Sequence, residues 1–249
     1  MCTILFSWKK IPGYRLVLIA NRDEFYERPT ALAHWWDDYP NILAGRDLQA
    51  GGTWMGISKN GRFAAITNFR KFPLEGPFET SRGDLVKDFL SSDESPASYL
   101  DKLNRIGKGF EGYNLIFGDT KELFYHSNKG PSTGIEPNTY GLSNHLLDTP
   151  WPKINKGKFL FNRCIEVGDL DKETFFDILS NQEKAPDSEL PETGVGLEKE
   201  RMLSPIFIKS ENYGTRISSV LTVSENGEVN FYERSFVPEK ESDFSFKIP

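Results

Sequence analysis

Apolar residues near the start of the chain come in short unbroken runs. Ile4-Leu5-Phe6 lies within Cys2–Trp8, and Leu16-Val17-Leu18-Ile19 lies within Arg15–Asn21. Runs of this length, bounded by turn residues, predict strands covered on both faces. Between them Lys9-Lys10-Ile11-Pro12-Gly13-Tyr14 carries a Pro-Gly turn signal, so the two form a hairpin. From Arg22 to about Gly52 the pattern is polar and aromatic and reads as loop. Thr53–Ser58 and Arg62–Asn68 then flank Lys59-Asn60-Gly61, and Asn-Gly between apolar runs is a strong hairpin signal.

The middle of the chain changes period. Leu85, Val86, Phe89 and Leu90 share one face of a helix over Ser81–Ser91. Ser95-Pro96 starts a second helix that runs to about Ile106. Tyr113–Phe117 and Leu123–His126 form a hairpin, and Thr139–Ser143 is a short strand. Helices are expected near Lys153–Glu166 and Lys172–Leu179, and Glu183–Glu200 reads as a long polar surface loop. Arg216–Val223 and Glu228–Arg234 close the pattern as a hairpin around Ser224-Glu225-Asn226-Gly227. Strands segregated from helices predict an α+β fold with antiparallel sheets. With 249 residues and no internal repeat, a single domain over 1–249 is expected.

Composition narrows the partners. There are 30 basic and 36 acidic residues, a net charge of −6, which argues against a nucleic-acid binder. No apolar run approaches the roughly 20 residues of a membrane helix, so no membrane insertion is expected. The N-terminal segment lacks the basic leader and long apolar core of a signal peptide, and the expected compartment is a reducing cytoplasm. The two cysteines, Cys2 and Cys164, form no Cys-x-x-Cys, and His34, His126 and His145 have no ligand spacing, so no metal site is expected. Cys164, inside a helical pattern, reads as core.

Cys2 changes this picture. Methionine aminopeptidases remove Met1 when the second residue is small, and removal would leave one residue carrying a thiol and a free α-amine. A free thiol has a pKa near ~8.5, whereas an α-amine titrates at roughly 7.7–8.0 and can serve as the base. Asn21-Arg22-Asp23-Glu24 ends the second apolar run, where a sheet edge opens to a site. A guanidinium there could stabilise a thiolate or clamp a carboxylate, and a carboxylate could hold the amine. Asn68 and Asn144 each end a short apolar run, and their amides suit an oxyanion. Gly51-Gly52-Thr53-Trp54-Met55-Gly56 brings backbone close to a neighbour, and Arg216 precedes a strand facing either a cleft or water.

Together, Cys2-Thr3, Asn21-Arg22-Asp23-Glu24, Gly51–Gly56, Thr67-Asn68, Ser81-Arg82-Gly83, Leu142-Ser143-Asn144 and Gly214-Thr215-Arg216 resemble the NRDE family, which includes the transport and Golgi organisation 2 proteins. The resemblance runs nearly the full chain, in order. It implies an N-terminal nucleophile hydrolase fold, a four-layer αββα sandwich of two antiparallel sheets. A wider similarity is to the cholylglycine hydrolase and penicillin V acylase group, whose enzymes also begin Met-Cys and use the thiol as nucleophile. Those acylases carry Arg-x-x-Asp after the second strand. In strict register Asn21 stands where their Arg does and Glu24 where their Asp does. A one-residue slip turns a strand side chain to the opposite face.

Two functions follow as expectations. In the first, the protein cleaves a small amide or thioester through an acyl intermediate on Cys2. The α-amine is then the base, Asn68 an oxyanion donor, Asn144 the orienter of the amine, and Arg22 and Asp23 complete the catalytic set. Asn21, Glu24, Trp54 and Arg216 would contact substrate. In the second, implied by the resemblance, the scaffold carries haem or lipid without catalysis. No cofactor is required by the first reading, and haem would be the transported ligand in the second. The sequence carries no signal for oligomeric state.

Overall fold

The computed structural model describes residues 2–73, 76 and 78–249; Met1 lies outside the described residues. The chain opens with β1 (Cys2–Trp8) and β2 (Tyr14–Phe25), followed by β3 (Thr30–Trp35), β4 (Ile42–Asp47), β5 (Met55–Ser58) and β6 (Phe63–Asn68). Helices α1 (Arg82–Ser91) and α2 (Pro96–Ile106) come next, then β7 (Tyr113–Gly118), β8 (Leu123–Ser127), β9 (Thr133–Gly134) and β10 (Asn138–Leu142). Helices α3 (Pro152–Val167), α4 (Lys172–Leu179) and α5 (Leu197–Leu203) precede β11 (Tyr213–Ser224), β12 (Glu228–Phe236) and β13 (Glu239–Lys247).

The strands form two antiparallel sheets. The first has six strands in the order β10-β1-β2-β11-β12-β13, and the second has seven, β3 through β9 in sequence order. Period-2 alternation then builds the layers. On β1 and β2, Ile4, Phe6, Leu16, Leu18 and Ala20 point between the sheets, where they meet Leu43, Met55, Ala65 and Ile116. Leu5, Val17 and Ile19 point outward onto Phe161, Phe175 and Leu179 of α3 and α4. The outer face of the second sheet packs Ala64, Leu115 and Phe117 against Leu85, Phe89, Tyr99 and Leu103 of α1 and α2. The result is the αββα sandwich that the resemblance implied.

Local signals explain most elements. Ser81 and Ser95 cap α1 and α2 through bonds from the Gly83 and Ser98 N–H groups, and Pro96 and Pro152 start α2 and α3 with a preset φ. Asp171 caps α4 by accepting from Glu173 N–H.

Three stretches differ from expectation. The segment read as loop from Arg22 to Gly52 holds the end of β2 and all of β3 and β4. The charged residues Arg22–Glu24 stay in a strand because β11 pairs with all three and β1 with Arg22 as well. The polar stretch 183–200 holds the start of α5, and Glu200 is buried. β13 was not anticipated, because its outward positions Glu241, Asp243 and Ser245 alternate with only two inward phenylalanines, Phe244 and Phe246. Cys164 sits half-buried in α3 against the outer core. Among the described residues no helix is long and apolar enough to cross a membrane.

One carboxylate lies between the sheets. Glu233 of β12 is 1% exposed and accepts from Ala33 N–H at 2.6 Å and from the Ser219 hydroxyl at 2.9 Å. Burial raises its pKa to about 7, against the lowering pull of those bonds and of Arg22. Because the folded value exceeds the unfolded one, the folded state holds the proton more tightly. Its contribution to stability is full below about pH 4.5 and is lost as pH rises to about 7. Glu233→Gln therefore gains on the wild type across that window and should be more stable by about 2–3 kcal/mol at pH 8. Urea melts at pH 4.5 and pH 8 check this; an equal difference at both pH values counts against it.

Candidate active site

Cys2 and Arg22 are directly opposed in the β1–β2 pairing, so both side chains leave the sheet on the face that looks between the sheets. Asn21 and Asp23, one residue away on either side, belong to the opposite face. Cys2 is half-buried at the wall of a cleft of about 120 Å³. Arg22, Asp23, Glu24, Trp54 and Asn68 line the same cleft, joined by Arg28, Asp47, Thr53 and the Ser81-Arg82-Gly83 start of α1.

The Arg22 guanidinium is held on three sides. It lies 4.4 Å from the Trp54 ring centroid, donates to Thr30 Oγ1 at 3.3 Å, and stands 3.8 Å from Glu24 and 3.9 Å from Asp47. Arg28 pairs with the same Asp47 at 2.8 Å. Opposite them, Arg82 pairs with Glu111 at 3.1 Å, close enough for its charge and that of Cys2 to interact. The start of α1 reaches this wall because Gly52 has no side chain: a Cβ there would lie 2.6 Å from the Gly83 carbonyl carbon. Thr53 N–H donates to Gly83 O at 3.3 Å and secures the contact.

A second group of bonds locks the sheets together beside Cys2. The Thr67 hydroxyl donates to Ser143 O at 2.6 Å, Asn144 Nδ2 donates to Asn68 O at 3.0 Å, and Arg70 N–H donates to Asn144 O at 2.7 Å. The Ser143 hydroxyl donates to Cys2 O at 3.0 Å. Among the described residues the Asn68 side-chain amide makes no hydrogen bond, and it faces the cleft. Asn144 is fully buried, and its amide is committed to the Asn68 backbone rather than to Cys2.

Burial raises the Cys2 thiol above its ordinary pKa; the Asp23 charge adds to this, while Arg22 and a bond from the Asp23 backbone oppose it. Burial also raises Asp23, against Lys153 and the Thr215 hydroxyl, which donates to Asp23 Oδ1 at 2.7 Å.

Two expected contacts lie elsewhere. Asn21 turns toward the helices: its amide donates to Leu179 O at 2.8 Å and Ile206 O at 2.9 Å and accepts from Ser218 Oγ at 2.6 Å. It ties α4 and the 206 segment to the sheet and is not among the residues that line the cleft of about 120 Å³. Arg216 falls at a bulge between Thr215 and Ile217, and its guanidinium donates to the carbonyls of Phe25, Arg28 and Val237. It anchors the end of β2 from outside the cleft. Arg28, Asp47 and Arg82 were not anticipated as site residues, although Arg82 follows a legible helix-cap signal. Among the described residues no cluster of His, Cys, Asp and Glu could hold a metal ion.

Comparison with known proteins bears on this geometry. The model of the family described as Transport and Golgi organisation 2 matches residues 1–238. The chain belongs to that family. A Transport and Golgi organization 2 homolog from Mus musculus is 38% identical over 95% of this chain and 94% of its own. The Homo sapiens homolog is 39% identical over the same shares. A conjugated bile acid hydrolase mutant from Clostridium perfringens shares the fold at TM-score 0.57 and 11% identity, covering 99% of this chain and 92% of that one. A Caenorhabditis elegans orthologue of N-acylethanolamine-hydrolyzing acid amidase does so at TM-score 0.52 and 10% identity, with both chains fully covered. These likenesses bear out both the family and the fold that the sequence motifs implied.

The two asparagines of opposite placement separate structure from chemistry. Asn21→Ala leaves two buried carbonyls and a hydroxyl unpaired and should cost roughly 2–4 kcal/mol in urea melts. Asn68→Ala, which removes an amide without a partner among the described residues, should stay within about 1 kcal/mol of wild type. Equal losses in the two variants would mean that the Asn68 amide carries a structural bond.

Proposed function

We propose that this member of the Transport and Golgi organisation 2 family is a cysteine N-terminal nucleophile hydrolase acting on a small amide or thioester. The observation that carries the reading is the shared face of Cys2 and Arg22, with the Asn68 amide, which has no hydrogen-bond partner among the described residues, on the wall of the same cleft. After removal of Met1, the α-amine of Cys2 takes the thiol proton, and the sulfur attacks the substrate carbonyl. Asn68 receives the developing oxyanion, and a single such donor contributes about 2.7–4 kcal/mol. The leaving amine or thiol takes the proton back, and water then releases the acyl group from sulfur. Arg22, braced on Trp54, steadies negative charge at the thiol.

The cleft's size supports a small substrate. At about 120 Å³ it is below the ~300–1,000 Å³ common for drug-sized ligands. None of the three histidines lines it, so in the haem-carrying alternative Cys2 would be the ligand to iron there.

The decisive experiment combines intact mass with an activity panel of acyl amides and acyl thioesters. The purified protein should be lighter by one methionine residue, and turnover should form an acyl adduct on the Cys2 peptide. Cys2→Ala should abolish both adduct and turnover, and Asn68→Ala should lower kcat roughly 10²–10³-fold. Retained Met1, or undiminished turnover by Cys2→Ala, would sink the proposal.

A further inference from the structure

Near the start of β11 the fold buries a cation that the chemistry above does not use. Arg216 is only 5% exposed, and the acceptors of its guanidinium are all backbone oxygens. It donates to the carbonyls of Phe25 at 3.2 Å and Val237 at 2.8 Å, and to that of Arg28. Its Nε–H is buried and has no acceptor among the described residues. Nor, among those residues, does any carboxylate come within 4 Å of it. Glu24, on the neighbouring strand, stands 3.8 Å from Arg22 and 4.0 Å from Arg28 instead. Carbonyl dipoles satisfy N–H groups but leave the net charge in place, and a buried charge without a counter-ion is costly.

The same side chain lines a pocket of about 330 Å³. Lys240 of β13 stands at its exposed rim, and Ser235 of β12 lines its wall. Neither the Lys240 ammonium nor the Ser235 hydroxyl has a hydrogen bond or ion pair among the described residues. The rest of the lining is chiefly apolar: Ala31, Leu32, Ile217 and Pro238. Among the described residues no acidic side chain lines this pocket, so it holds two cations and no anion. A concave space lined by one sign of charge concentrates ligands of the opposite sign.

This pocket is separate from the Cys2 cleft, since no residue lines both. Thr30 stands between them: it lines the pocket, while its hydroxyl accepts from Arg22 of the cleft at 3.3 Å.

We propose that this pocket binds a small carboxylate with a short apolar body. The carboxylate supplies the countercharge that Arg216 lacks, between Lys240 and the Ser235 hydroxyl, and the body lies on Ala31, Leu32, Ile217 and Pro238. The site does not depend on Cys2 being reactive, so Cys2→Ala should bind the ligand as the wild type does.

The test is a calorimetric titration of the full chain with butyrate near pH 7, with ionic strength held constant by chloride. Butyrate should bind saturably at one site. Inorganic phosphate, an oxyanion without the apolar body, should bind roughly tenfold more weakly. Lys240→Glu reverses an exposed charge that holds no partner, and should weaken butyrate about tenfold. Arg216→Gln should abolish binding. Location is read by acetylating the lysines and following each peptide by mass. Butyrate should slow modification of Lys240 and leave the exposed Lys247 of the same strand unchanged. No saturable binding, or equal effects on Lys240 and Lys247, overturns the proposal. Phosphate as tight as butyrate overturns the carboxylate with its apolar body as the ligand. Where Arg216→Gln does not fold, Lys240→Glu decides: a folded Lys240→Glu with wild-type affinity overturns the site.

Discussion

The candidate site depends on the bonds that stitch the two sheets together at one end. β10 leaves the first sheet at Leu142, and the next two residues cross to β6 of the second. Thr67 and Asn68 there receive bonds to and from Ser143 and Asn144, while Ser143 also reaches back to the Cys2 carbonyl. The seam extends inward through Asn114, whose amide donates to Thr67 Oγ1 and His145 O and whose oxygen accepts from the Tyr125 hydroxyl. These groups are buried, so each unmade bond would carry the full desolvation cost of about 1–3 kcal/mol. The thiol on one sheet and the Asn68 amide on the other therefore keep a defined separation. Two sandwiched sheets joined only by apolar contacts would not hold such a distance as tightly.

Alternation along β2 divides the charged run into two jobs. Even positions continue the inner face: Leu16, Leu18 and Ala20 give way to Arg22 at the cleft. Odd positions continue the outer face: Val17 and Ile19 give way to Asn21, which bonds the Leu179 carbonyl of α4, and to Asp23, which accepts from the Thr215 hydroxyl at the rim of the cleft. One strand end thus serves the cleft with a cation and the helix layer with an amide. The arrangement also explains why Asp23 influences Cys2 without sharing its face. It stands at the strand end, where the bulge opposite, between Thr215 and Ile217, opens the sheet.

Much of this was legible in the residue pattern. Cys2–Trp8, Pro96–Ile106 and Lys172–Leu179 follow directly from apolar runs, a Ser-Pro start and a helical apolar stripe. The motif blocks led to the sandwich fold. What escaped was decided by distant partners. β3 and β4 lack a long apolar run, since Thr30 and His34 break the first and Gly45, Arg46 and Asp47 the second, and only pairing in the second sheet makes them strands. Asn21 and Arg22 are adjacent in the motif, and the cleft-facing one is chosen by register with β1. Lys153, Glu200 and Glu233 look like ordinary surface charges in the sequence. Their burial comes from contacts more than a hundred residues away, as Ala33 with Glu233 illustrates. Local pattern carries no information about such a contact.

β13 has a further consequence for the molecule as a whole. It ends the first sheet, and its hydrogen-bonding edge away from β12 has no strand beyond it among the described residues. Its inward phenylalanines are covered, Phe246 by the Trp35 ring at 5.0 Å, whereas Glu239, Lys240, Glu241 and Asp243 stand exposed along it. Asp243 and Glu241 are further tethered to Lys172 and Arg234. A second chain adding a strand here would have to desolvate those charges and break those pairs. The same residues that hide this strand from pattern reading therefore guard the protein against edge-to-edge aggregation.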